Sequence, residues 1–148
     1  MTRSRPTLHQ LNIVSGNPEA SIAFYRRLGV HIPDEQVWRT ASGVHHVSAE
    51  GGSPEDFDLD IDSAQVWNAG WRGREDLAGR VVVGFRVASR GDVDRLYGKM
   101  TAMGYRGLQA PYDAFWGARY AVVEDPDGIA VGLMSPISAG HRAPPPEV

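Results

Sequence analysis

Apolar and polar positions alternate with a period of two through most of this chain, and the pattern gives way three times to a helical period. In LHQLNIVS (Leu8 to Ser15) Leu11 and Ile13 fall on one face and Gln10 and Asn12 on the other, so a strand is expected there with polar side chains on its second face. Asn17 followed by Pro18 then starts a helix whose apolar stripe is Ile22, Phe24, Tyr25 and Leu28, and Gly29 stops it. Two short strands are expected at Gln36 to Thr40 and Val44 to Ala49, turning at Ser42-Gly43. After the Gly51-Gly52-Ser53-Pro54 loop, FDLDI (Phe57 to Ile61) alternates again, with Asp58, Asp60 and Asp62 on or beside the polar face. From Ser63 to Trp71 the period changes to that of a short helix, which puts Trp67 and Trp71 on one side, and Arg72 to Gly79 reads as a connector.

The order then repeats. RVVVGFRV (Arg80 to Val87) is the strongest strand pattern, a helix follows from Val93 to Met103, and Gly104 ends it. Tyr105 to Gln109 is the next strand and Ala110 to Gly117 an aromatic loop. The closing hairpin joins Arg119 to Val123 with Ile129 to Met134 through Asp-Pro-Asp-Gly, in which Pro126 presets φ and Gly128 takes a positive φ. In the second of these strands Ala130, Gly132 and Met134 share a face with no other bulky apolar group, a face emptied as if to admit something. Shifting the first half by about 72 positions lays Gln10 on Val82, Phe24 and Tyr25 on Leu96 and Tyr97, and Leu59 on Val131. Two βαβββ copies result. We expect module one at about residues 7–62, a linker helix at 63–79, module two at about 80–136 and a mobile tail at 137–148, all in one α+β domain.

Composition narrows the function classes. A formal charge of −3, with arginines scattered along the chain, provides no basic surface for nucleic acid or an anionic membrane. With no cysteine, disulfides, thiolate metal sites and thiolate nucleophiles are ruled out. No apolar run approaches the roughly 18 residues of a membrane span, and MTRSRP is not followed by the apolar core of a secretion signal. A cytoplasmic protein is expected.

The duplication, with SIAFYRRLG on the first helix and EDPDG in the last hairpin, resembles the vicinal oxygen chelate superfamily of glyoxalase I, extradiol dioxygenases and bleomycin resistance proteins. That resemblance implies two curled mixed sheets around a cavity, which in the family usually holds a divalent metal bound from the first and last strand of each module. It places Gln10 and Asp60 at one pair of ligand positions and Val82 and Gly132 at the other. Gln and Asp offer oxygen; Val and Gly offer nothing. A catalytic metal wants about three protein ligands, so we expect no metal and no cofactor. The Lewis acid by which glyoxalase-like enzymes stabilise an enediolate goes with it. His45 or His46 could complete a displaced metal site, since one of the two must point inward; the alternatives are ligand binding or an edge position.

The metal-lacking branch of the superfamily contains dimeric drug-sequestering proteins, so a homodimer that sequesters a planar aromatic molecule, an antibiotic included, is the expectation. Trp38, Trp67, Trp71, Tyr112, Phe115 and Trp116 would supply stacking surface and Met134 an apolar contact, while Gln10, Asn12, Asp60 and His45 or His46 would orient the ligand. The competing reading for the tryptophans is gap filling or a dimer seam. Two other functions stay open at this point: a glyoxalase-like lyase or isomerase with Asp60, His45 or His46 as general base, and an interaction dimer without a ligand.

Overall fold

The computed structural model describes residues 10–49, 58–63 and 81–145. The chain divides into two compact units, Met1–Arg74 and Glu75–Val148. In the first, β1 (Gln10–Ser15), α1 (Pro18–Leu28), β2 (Trp38–Thr40), β3 (Gly43–Ala49) and β4 (Asp58–Ser63) follow in order. In the second, β5 (Val82–Arg86), α2 (Arg90–Ala102), β6 (Gly107–Asp113), β7 (Arg119–Glu124) and β8 (Ala130–Met134) do the same.

Each unit builds one four-stranded sheet, in the orders β1-β4-β3-β2 and β5-β8-β7-β6. The first and last strands of each unit pair in parallel and the others antiparallel. Gly84 pairs with Gly132 as Asn12 pairs with Asp60, the offset expected from the repeat. The α+β duplication read from the sequence is therefore the architecture observed.

Helix α1 begins where Asn17 accepts a hydrogen bond from the Ala20 amide, and it ends at Gly29, whose φ of 112° is left-handed. The Ser15 and Ser21 hydroxyls meet at 2.8 Å, which fixes the β1 face that looks at the helix. Ile13 shares that face with Ser15, and the register carries it to Leu59, Ile61, Val47 and Ala49, all buried. Together with Ile22, Phe24, Tyr25 and Leu28 they form the core of unit one. In unit two the Tyr97 hydroxyl stands over Gly107, which marks the α2 side, and the register extends it to Val123, Val131 and Val83. The other faces carry Asn12, His46, Ser48, Asp60 and Asp62 in unit one, and Val82, Gly84, Tyr120, Val122, Gly132 and Met134 in unit two.

Several boundaries differ from the sequence reading. β4 runs on to Ser63, expected to cap a helix, because its alternation continues to pair with β1 as far as Ser15↔Ser63. The linker helix expected at 63–79, apart from Ser63, lies outside the described residues, and so do Trp67 and Trp71. Helix α2 starts at Arg90, ahead of the expected Val93, because Ser89 caps it by accepting from the Asp92 amide. β6 extends to Asp113, so Tyr112 sits on a strand opposite Tyr120, not in a loop. Residues 137–143, expected as part of a mobile tail, are hydrogen-bonded: Ser138 donates to the Gly117 carbonyl and Ala143 to that of Phe115. A 3-10 turn at Ala139–His141 lies between them. No helix of the described residues is long and apolar enough to cross a membrane.

The Asp-Pro-Asp-Gly hairpin is held by Asp125, which is buried and whose Oδ1 accepts from the amides of Asp127 at 2.8 Å and Ile129 at 2.9 Å. Gly128 takes φ 82° there. Asp125→Ala strips both amides of their acceptor and is expected to cost about 1–2 kcal/mol, seen as a lower urea midpoint at unchanged slope.

Candidate functional site

On the face of unit one turned away from α1, four side chains form a continuous polar chain. The Asn12 amide donates to Asp62 Oδ2 at 2.9 Å and to Asp60 Oδ2 at 3.2 Å. Asp62 Oδ1 meets His46 Nδ1 at 2.5 Å. A carboxylate only accepts, so the proton of that contact belongs to Nδ1. Both aspartates are buried, while the His46 side chain is 37% exposed. Asp60 Oδ1 has no hydrogen-bond partner among the described residues, an expensive position for a buried carboxylate oxygen.

The strands set this arrangement. Asp60 and Asp62 are two apart on β4 and so share a face, and antiparallel pairing puts His46 directly opposite Asp62. Parallel pairing sets Asn12 against Asp60. The sequence reading left His45 and His46 unresolved; the register sets His46 opposite Asp62. His45 is the unpaired extra residue at the register shift opposite Trp38 and Arg39, its Nε2 bound to the Thr40 hydroxyl at 2.6 Å and Ser42 Oγ at 3.2 Å, with the Trp38 ring centroid 4.9 Å away. His45 and Trp38 thus lie together beside the β2–β3 turn, and Trp38 is also the cross-strand partner of His46. Gln10 pairs with Asp58 through the backbone, and its side chain lies outside the described residues.

On the corresponding face of unit two the chemistry reverses, because apolar and aromatic residues hold the equivalent positions. Tyr120 stands where unit one has His46, Gly132 where it has Asp60, and Gly84 where it has Asn12. The face around Gly132 is not the empty strip expected from the sequence: a Cβ built there would meet the Tyr120 hydroxyl at 2.6 Å and its ring at 3.1 Å. Gly132 makes room for a ring of its own neighbouring strand. Gly84 is different, with nothing within 4 Å of its Cβ position, and Val82 beside it is 51% exposed.

Four rings meet along this face in edge-to-face pairs: Trp116 with Tyr120 at 5.5 Å, Phe115 with Trp116 at 5.3 Å, Tyr112 with Tyr120 at 6.2 Å and Tyr112 with Trp116 at 6.5 Å. Such pairs leave ring faces uncovered; Tyr112 and Phe115 stay exposed. Burial first, then the neighbouring Tyr112, pushes the Tyr120 phenol above its ordinary pKa, so it stays a neutral donor in neutral solution. Met134, opposite Tyr120 in the register, completes the strip. Tyr120 is the residue the sequence reading missed. Its alternation with Val122 on the Gly132 face was the available signal.

The aromatic turn is braced from two sides. Arg119 donates to both oxygens of Asp94, at 2.8 and 3.2 Å, and to Asp113 at 3.2 Å, while Arg90 pairs with Asp113. The Arg119 hydrogen bond holds the Asp94 carboxyl below its usual pKa. From the other side Ser138 and Ala143 donate to Gly117 and Phe115. The loop that carries Phe115 and Trp116 is therefore fixed by ion pairs and backbone bonds together.

The described positions of the family's metal do not fit an ion here. Val82 and Gly132 have no donor, the space at Gly132 belongs to a tyrosine ring, and one Asp60 oxygen is occupied by Asn12. No group of three His, Asp or Glu side chains among the described residues is arranged for a metal.

Two four-stranded mixed sheets of identical strand order, each with its own helix, define the glyoxalase/bleomycin resistance class of α+β proteins. The chain belongs to the Glyoxalase/Bleomycin resistance protein/Dioxygenase superfamily, whose family model matches residues 7–133. Among solved structures it is similar to a glyoxalase/bleomycin resistance protein/dioxygenase from Nocardioides, with 24% identity and a TM-score of 0.69 over 99% of this chain and 92% of that one. It is also similar to TnmS3, an antibiotic binding protein from Streptomyces sp. CB03234, with 20% identity and a TM-score of 0.63 over 91% and 99% of the two chains. For TioX from Micromonospora sp. ML1 the identity is 16% and the TM-score 0.61, over 88% and 98%. These likenesses are of fold. No curated protein matches the chain.

Proposed function

We propose that this protein is a metal-independent binding protein that sequesters a planar aromatic small molecule, with an antibiotic as the leading class, and that it works as a cytoplasmic homodimer. The observation that carries the reading is the ring cluster Tyr112, Phe115, Trp116 and Tyr120 beside the bare strip of Val82 and Gly84. Large rings held by a braced turn, with faces left uncovered, offer a preorganised stacking wall, and a flat strip offers a floor. The fold-level likeness to an antibiotic binding protein supports the choice of ligand class by analogy. Metal independence rests on the missing donors at Val82 and Gly132.

Titration with neutral planar aromatics such as phenazine and acridine should quench tryptophan fluorescence with micromolar or tighter affinity. Trp116→Ala should weaken that binding about tenfold, the loss of roughly 1–1.5 kcal/mol of stacking. A flat response across a varied panel defeats the binding reading. One divalent ion per purified chain by elemental analysis defeats metal independence.

A further inference from the structure

The polar chain of unit one does more than orient a ligand. Asp62 is buried and held from two sides, by Asn12 at Oδ2 and by His46 at Oδ1. It thereby fixes the imidazole with its proton on Nδ1, and in the neutral ring the lone pair is on Nε2. No partner for Nε2 occurs among the described residues, and the ring is the exposed member of the chain. A buried carboxylate that orients one imidazole nitrogen while the other is presented outward is the geometry by which a histidine accepts a proton and the resulting imidazolium is held.

We propose that His46 is a proton acceptor for a ligand hydroxyl, Nε2 taking the proton of a phenol or enol while Asp62 holds the imidazolium. The ligand O–H bond breaks, an N–H bond forms at Nε2, and the electron pair stays on the ligand oxygen. Nothing is oxidised, and the proton returns when the ligand leaves. The groups facing His46 from its neighbours are Asp60 and Asp62 on β4 and Asn12 on β1; Ser48 follows it on the same face of β3, and its partner on β2 is the uncharged Trp38. The neighbouring imidazole, His45, lies against Trp38 and has its Nε2 engaged by the Thr40 and Ser42 hydroxyls. A ligand that meets this face of unit one carries an acidic hydroxyl. This rests on the reading that the protein takes aromatic small molecules, and it names a residue that reading did not need.

The test uses 7-hydroxycoumarin, whose neutral and ionised forms have separate excitation bands, with 7-methoxycoumarin as a probe that has no proton to give. Bound to the full-length protein, 7-hydroxycoumarin should ionise at lower pH than it does free, with at least a tenfold larger anion fraction in mildly acidic buffer. His46→Gln and Asp62→Asn should each abolish the excess anion, read at saturating protein, with 7-methoxycoumarin used to establish that each variant still binds. If one variant fails to fold, the other gives the same readout. Unchanged ionisation on binding overturns the proposal, as does an excess that survives both substitutions or failure of 7-hydroxycoumarin to bind at all. If neutral aromatics bind in these cases, only the role of His46 falls; if no aromatic binds, the binding reading falls with it.

Discussion

Phe24→Ala is expected to destabilise the protein by about 3–5 kcal/mol, a large share of the whole stability of an ordinary domain. Phe24 is fully buried on α1 and packs edge-to-face against Tyr25 at 4.9 Å, on the side that meets β3 and β4. Truncation removes a whole ring and leaves a cavity that a stiff sheet closes only in part. Chemical denaturation should show a lower midpoint. Hydrogen exchange should place the lost protection in β3 and β4, the strands that carry His46, Asp60 and Asp62. Wild-type protection there would mean that α1 does not support the sheet as described.

Gly117→Ala should cost about 2–4 kcal/mol and also weaken aromatic binding. Gly117 has φ 99°, a conformation strained for any residue with a Cβ. A methyl there would lie 2.5 Å from the Ser138 carbonyl oxygen and 2.9 Å from Arg142 Cγ. The arginine side chain can swing aside; the carbonyl oxygen is backbone and can move only with its segment. Relief therefore requires residues 137–143 to leave the aromatic turn, which breaks the bonds from Ser138 and Ala143. A thermal melt and a fluorescence titration on the same variant read both effects. Full stability with normal binding would show that this segment does not brace the rings.

The two modules share a register but have divided the chemistry. Equivalent positions carry Asn12, Asp60 and His46 in one and Gly84, Gly132 and Tyr120 in the other. A face of buried carboxylates suits a proton donor, and a face of rings suits a conjugated plane. The division follows from duplication, which copies the backbone pairing and leaves each side chain free to change.

Much of this was legible in the sequence because it depends on neighbours along the chain. Asn17-Pro18 and Gly29 bound the first helix, Asp125-Pro126-Asp127-Gly128 makes the last turn, and alternation assigns Ile13, Ile61 and Val131 to the core. The repeat itself was readable, and so was the lack of a donor side chain at Val82 and Gly132, since a missing functional group needs no coordinates to be recognised. Tertiary structure decided what depends on pairing across strands. It set His46 opposite Asp62, because register sets a residue's neighbour opposite while sequence sets only the one beside it. It filled the space above Gly132 with Tyr120, and it tied residues 137–143 to the aromatic turn through backbone bonds that carry no residue signature. Local preference follows from each residue's own dihedral and burial tendencies; a site follows from which of those residues the sheet brings face to face.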